Sequence, residues 1–468
     1  MRHKRFLAAI IVSLCLCSAA ANAAEKPLQI VFMLGGPEMV GHAKVSTAEY
    51  MLQKPLIPPR EITLNAHKQM PHQINSAYLY WRAMNAYEGP KKAELKKLIE
   101  ERNKFKGEFK KHVLDELNKN NGMFRGKKYN KRRGGYRGFW MYNLIDAEAE
   151  KVGITPKIRA ILDAPDNKFI VVKAYDTIIA DINARNKKQQ GLNKVFLKGV
   201  KTEDFAAPDQ VQMKMPKAKR TYVCDLGDPT APSNGILSVG FGNAKDAFGL
   251  EYAAGLALES KVDGPVLIVK CALNDHRSSI DKVWGPSSDG WKSMQSTVKA
   301  VLADPGKYHP GYDKKAGSNV AGLIWFQGLS DSKNSDYASH LEKLLTDFRE
   351  LVKTPDMPIV CATVGDMEFK PLSDDHLANQ GMRKVANKPA FKDRMSIVET
   401  YKFRPAEFGV IGGLMHKRKI NKNSPQGQTM QKVISKSTGR GPYSGSAQFY
   451  LLAGNEVGEV LAKMINEK

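Results

Sequence analysis

Four short stretches of the chain carry most of the side chains able to do chemistry. "GGPEMVG" (35–41) sets Glu38 directly after two glycines and a proline, and "CALNDHRSS" (271–279) carries Asp275 and His276. "WFQGLSD" (325–331) carries Gln327 and Asp331, and "GPYSGSAQFYLLAG" (441–454) is rich in small and aromatic residues. A carboxylate and a histidine in one crevice can activate water, and two carboxylates with a histidine can hold a metal ion. Glu38, His276 and Asp331 are therefore the candidate catalytic residues, with Asp275 beside them. The plain alternative is a polar rim wetted by solvent, and no metal site or cofactor is expected. The common signatures are missing: there is no Gly-x-Ser-x-Gly elbow, phosphate loop, His-Glu-x-x-His or Cys-x-x-Cys. "SDDH" (373–376) reads as surface, because neighbours on a loop rarely face one pocket, and Trp325 and Phe326 read as core at a strand end.

The elements that must position these residues can be read from hydrophobic patterning. Near-continuous apolar runs at 28–34, 264–273, 320–328, 357–365 and 394–403 read as strands covered on both faces. Helical patterns alternate with them. In the stretch 335–355, Tyr337, Leu341, Leu344, Leu345, Phe348 and Leu351 recur at helical spacing, with Asp336 placed to cap the start and Pro355 to stop it. Residues 246–260 and 448–468 read as two more helices. Such alternation predicts an α/β chain with a doubly wound, mainly parallel sheet, whose ligands bind beyond the carboxyl ends of the strands. The Gly35-Gly36 turn lies at one of those ends.

Composition constrains the partners. The chain has 468 residues and a formal charge of +24. "MRHKR", an apolar run and "ANA" (21–23) form a signal-peptide pattern over residues 1–23, so an exported protein is expected after cleavage near Ala23. No later stretch approaches the ~20 apolar residues of a spanning helix. For an exported chain the basic charge points to acidic polysaccharide, anionic surface polymer or plain solvation rather than nucleic acid. Cys224, Cys271 and Cys361 remain after cleavage and read as buried free thiols rather than a bridge. Between residues 42 and 199 the texture becomes helical and very basic: residues 91–140 hold seventeen Lys or Arg against six Asp or Glu. Arg132, Arg133, Tyr136 and Trp140, where cations interleave with aromatics, are the glycan-binding candidates, weighed against an exposed hairpin.

Taken together, the strand ends resemble one family. The chain is similar to the SGNH-hydrolase superfamily, in its sialate O-acetylesterase-like branch of carbohydrate esterases. "GGPEMVG" stands where that family has Gly-Gln-Ser-Asn-Met-x-Gly, and "LSVGFGNAKDAFGLEYAAGLAL", which contains Asn243, stands where relatives carry a Phe-Gly turn and a helix. "PVLIVKCALNDHRSS" resembles a strand ending Lys-Thr-Ala-Trp-Gly-Gly, "WFQGLSD" resembles Trp-Phe-Gln-Gly-x-x-Asp, and "GPYSGSAQFY" resembles His-Tyr-x-Gly-Ser-Ala. The resemblance implies a flavodoxin-like three-layer core formed by 24–41 and 200–468, interrupted by a basic helical insertion at 42–199. It implies serine–histidine ester hydrolysis, with pocket and oxyanion positions at Gly35, Gly36, Asn243, Asn274, Asp275, Gln327 and Gly328. Here Pro37 occupies the serine position and Pro442 the histidine position, while Gln327, Gly328 and Asp331 match. The expected function is a degenerate esterase-like module that binds acidic or acetylated carbohydrate. An esterase with a rearranged acid–base set and a structural, partner-binding envelope protein are the alternatives, and oligomeric state is left open.

Overall fold

The computed structural model describes residues 26–69, 83–84, 87–129, 139–162, 164, 168–225, 233–273, 279–365, 376–416, 419–439 and 442–467. Its centre is a seven-stranded sheet: β1 (Leu28–Gly35), β2 (Thr221–Asp225), β3 (Ser233–Ile236), β4 (Val266–Ala272), β5 (Ser318–Phe326), β6 (Ile359–Ala362) and β7 (Met395–Val398). The spatial order is β7-β6-β5-β1-β4-β2-β3. Every pairing is parallel except β2 with β3, which form an antiparallel edge. The five strands expected from apolar runs are all present. The β2–β3 edge is an addition, since "TYVCD" and "SNGI" are short and too polar to announce themselves.

Alternation along β1 explains the layering. Leu28, Ile30, Phe32 and Leu34 face one apolar cluster, with Trp291, Val298, Leu341, Phe348 and Met382. Val31 and Met33 face the other, with Leu250, Ala254, Phe449 and Leu461. Successive strand side chains point to opposite faces, so a strand buried on both sides must be apolar throughout. Helices Asp289–Ala303, Tyr337–Leu351 and Leu377–Ala386 cover the first face; Leu250–Lys261 and Ala447–Asn466 cover the second. The amphipathic helix falls where its spacing places it, although the Asp336 side chain at its N-cap makes no capping bond.

The stretch after β1 divides into parts. Ala43, Val45, Ala48 and Met51 at its start, with Phe196, Leu197 and Val200 at its end, join the sheet's own cluster. Helix Lys168–Phe196 contributes Val171, Tyr175, Ile178 and Ile182 to a separate cluster with Val410, Ile411, Leu414, Met415 and Met430. The helices Ala406–His416 and Pro425–Ser437, which follow β7, thus pack on a helix that follows β1. Both segments leave the carboxyl side of the sheet, so the lobe they share stands on the side where the candidate residues lie. Buried polar contacts fasten it. Arg185 pairs with Glu407 and donates to the Arg404 carbonyl at 2.6 Å. The Tyr50 hydroxyl donates to Glu407 at 2.9 Å, and Lys436 pairs with Glu49 at 2.9 Å. The outer helices, Lys92–Lys119 among them, are held by smaller clusters around Ile158 and Val113.

Candidate functional site

The crevice forms where β1 and β5 end side by side, with Gly35 beside Ala272 on one flank and Phe326 on the other. The Gly36 N–H donates to the Phe326 carbonyl at 3.1 Å, and the Leu273 N–H to the Gly35 carbonyl at 3.0 Å. A Cβ on Gly35 would lie 2.1 Å from the Phe326 oxygen, and one on Gly36 only 2.6 Å from Glu38 Oε2. Glycine is required at Gly35, where backbone already fills the space, whereas at Gly36 a Cβ would meet the end of the Glu38 side chain. Pro37 then opens a single helical turn, Pro37–Val40, at the one helix position where a missing N–H is harmless.

That turn directs Glu38 inward. Its side chain is almost fully buried; Oε1 accepts the Leu329 N–H at 3.1 Å, and Oε2 has no hydrogen-bond partner. Burial pushes its carboxyl up from the ordinary 4.5 to about 7, the Asp331 charge adding to the effect. A carboxyl so placed holds or releases a proton near neutrality.

Asp331 has a different task. Its carboxylate accepts the Ile280 N–H at 3.0 Å, Gln327 Nε2 at 2.7 Å and Asn334 Nδ2 at 2.7 Å. Three donors converge on a fully buried group, which therefore orients Gln327. The Gln327 carbonyl accepts from the Tyr337 hydroxyl at 2.9 Å, and its side-chain Oε1 is buried without a partner.

Lys270, Asn243 and the closing aromatics complete the frame. Lys270, fully buried on β4, contacts Asp225 at 3.2 Å and Glu251 at 3.3 Å and donates to the Val40 and Phe241 carbonyls at 2.8 and 2.5 Å. Burial pulls the ammonium down, but Glu251 and Asp225 outweigh it and hold Lys270 above its ordinary value. Lys270 thereby ties the end of the Glu38 turn to the loop carrying Asn243, whose amide nitrogen lies 2.8 Å from His42 Nδ1. The Tyr450 hydroxyl donates to the Glu38 carbonyl at 3.3 Å. Tyr443 stacks on Phe449 with 3.7 Å between centroids and accepts the Gly365 N–H at 2.8 Å. Tyr443 and Ser444 hold φ of 53° and 55°, a left-handed conformation that costs about 1 kcal/mol or more per non-glycine residue and persists only under packing of this kind.

Among the sequence candidates, Gly35, Gly36, Glu38, Gln327, Gly328 and Asp331 come together in this crevice, with Asn243 held behind the turn by His42 and the Gly41 carbonyl. Asn274, Asp275 and His276 lie outside the described residues, as do Arg132, Arg133 and Tyr136. Trp140 falls in helix Phe139–Lys151, with its side chain outside the description. Ser373 to Asp375 also lie outside it, while His376 is buried at the start of helix Leu377–Ala386 rather than on the surface. Its hydrophobic neighbours on that amphipathic helix draw it in. Reading by motif missed Lys270, Glu251, His42 and the Tyr443–Tyr450 wall. A lysine inside the apolar run "VLIVKCA" was the available signal, since such a residue is buried only with partners. Cys224, Cys271 and Cys361 are buried free thiols. Among the described residues no group of three His, Cys, Asp or Glu side chains could hold a metal ion, and no helix is long and apolar enough to cross a membrane.

Residues 229–402 match the family model for carbohydrate esterase, sialic acid-specific acetylesterase. Over this region the chain is similar to sialic acid-specific acetylesterases among the carbohydrate esterases. The esterase-like match takes in β3 to β7 with Gln327 and Asp331, and leaves Pro37, Glu38 and Pro442 outside its span. Three solved structures are similar to the chain. A protein from Arabidopsis thaliana is 12% identical over 46% of this chain and 82% of its own, with a TM-score of 0.30. NanS is 14% identical over 39% and 69%, at 0.29. A novel carbohydrate acetylesterase from Xanthomonas citri is 11% identical over 42% and 49%, at 0.27. No curated protein matches the chain by sequence.

Proposed function

We propose that the chain is an exported, carbohydrate-binding member of the SGNH group that has given up acyl-enzyme chemistry and engages acidic or acetylated glycans. The observation that carries this reading is the occupancy of the crevice. Pro37 stands at the position the resemblance gives to the attacking serine, and Pro442 at that of its histidine. Neither has a group that attacks a carbonyl or shuttles a proton, and losing both members removes the covalent route. With the β2–β3 edge set aside, the order β4-β1-β5-β6-β7 has the first strand between the second and third, which supports a flavodoxin-like core. The basic, apolar and small-residue sequence of 1–23 supports export, and the charge of +24 supports an acidic partner. The test is direct. Purified protein is expected to resist fluorophosphonate labelling, to leave aryl acetates intact, and to be retained on a carboxylated or sulfated glycan column in a salt-sensitive way. A covalent adduct on a serine of the crevice would end this reading.

One observation favours a second reading. A carboxyl held near pH 7 suits proton transfer to or from water, so Glu38 would serve a water-activating esterase. That reading requires aryl acetate turnover abolished in Glu38→Gln.

A further inference from the structure

The side chain of Glu38 turns back into the crevice instead of leaving it. Its Oε2 lies 2.6 Å from the point where a Gly36 Cβ would stand, and Gln327 Cγ lies 3.2 Å from that same point. Its Oε1 takes the backbone N–H of Leu329, two residues beyond Gln327. The carboxyl therefore fills the small space bounded by Gly36, Gln327 and Leu329, against the turn opened by Pro37. Two buried acceptors on the residues that bound this space, Glu38 Oε2 and Gln327 Oε1, have no donor. Unpaired buried acceptors are costly, and a proton on the Glu38 carboxyl supplies a donor there. Burial, which favours the neutral acid, agrees with this.

We propose that the Glu38 carboxyl is a built-in occupant of the acyl position of this crevice, so that the wild-type chain excludes acetyl groups there and a chain lacking that carboxyl takes up acetic acid. This rests on the esterase-like reading above for what the space once held. The chemistry of the fit does not depend on it. Glu38→Ala removes a methylene and a carboxyl, which are the atoms of acetic acid less one hydrogen. The vacated space keeps the Leu329 N–H as donor, with the Gln327 side chain as one wall. Among the described residues, the titratable groups that face Glu38 are Asp331 from the turn after β5, Tyr337 from helix Tyr337–Leu351, and Tyr443 and Tyr450 from the closing segment. Asp331 opposes a second negative charge, and burial holds the three tyrosines neutral, so the neutral acid is the form to be bound.

The experiment compares unfolding of wild type, Glu38→Ala, Glu38→Ser and Glu38→Gln in sodium acetate and in sodium chloride at matched ionic strength, at pH 5 and pH 8. Glu38→Ala is expected to be stabilised as 1 + [acid]/Kd, with about a tenfold rise in its folded-to-unfolded ratio when the free acid reaches ten times its Kd. The effect is larger at pH 5, follows for Glu38→Ser, and falls for formic and butyric acids, which underfill and overfill the space. Wild type and Glu38→Gln, whose space stays filled, are expected not to respond. If Glu38→Ala does not fold in chloride, recovery from denaturant in acetate alone gives the same answer. Absence of any acid response in both small variants, or an equal response in all four proteins, overturns the proposal. Glycan retention and fluorophosphonate labelling of wild type report on the esterase-like reading by itself, so the two failures are told apart.

Discussion

Replacing Glu38 by Gln removes one titrating group from the interior and keeps its volume and the bond to Leu329. The effect can be worked from the structure. The carboxyl is raised from 4.5 to about 7 in the folded chain, chiefly by burial. Each pKa unit corresponds to 1.36 kcal/mol of differential stability, so the full term is about 3 kcal/mol. The folded value lies above the unfolded one, so the contribution is wholly present below about pH 4.5. It drains away as pH rises and is gone once pH passes 7. Between pH 5 and 8.5 the wild type is expected to lose about 2–3 kcal/mol relative to Glu38→Gln. The assay is equilibrium unfolding in guanidinium chloride across that range. It is read through Trp284, Trp291 and Trp325, which pack in the cluster beside β1 and report on the sheet rather than on the outer helices. Taking wild type minus variant cancels the other titrating groups. If the two stability curves run parallel to within about 0.5 kcal/mol, Glu38 is not a buried acid and the description of the crevice fails.

Other outcomes follow from the same contacts. Lys270→Met should cost about 3–5 kcal/mol in chemical denaturation, because it strands Glu251 and Asp225 beside an apolar side chain. Arg185→Met is expected to cost about 3 kcal/mol and to loosen helix Lys168–Phe196 from the segment after β7, seen as faster amide exchange there while β1 stays protected. Gly35→Ala, whose new Cβ would lie 2.1 Å from the Phe326 oxygen, should lose about 3 kcal/mol or fail to accumulate as folded protein. Pro37→Ser alone should show no aryl acetate turnover, since Pro442 still stands where the resemblance places the proton acceptor.

Much of this was legible in the chain itself. The five apolar runs mark the central strands, because a strand buried on both faces needs apolar residues at every position. The pair Gly35-Gly36 marks the site turn, and Pro37 and Pro442 stand where the resemblance places an attacking serine and its histidine, a matter of covalent structure that needs no fold. Other features arise only when distant segments meet. Nothing local in "TYVCD" or "SNGI" says that they pair at the edge of the sheet, and nothing in 406–437 says that it will cover a helix near residue 180. The depth of Glu38, the Ile280 donor on Asp331 and the two carboxylates around Lys270 come from residues tens to hundreds of positions apart. Periodicity records which face of an element is apolar. What lies against that face, and whether a carboxyl there keeps its charge, depends on the solvent and partners that only the folded chain brings or removes.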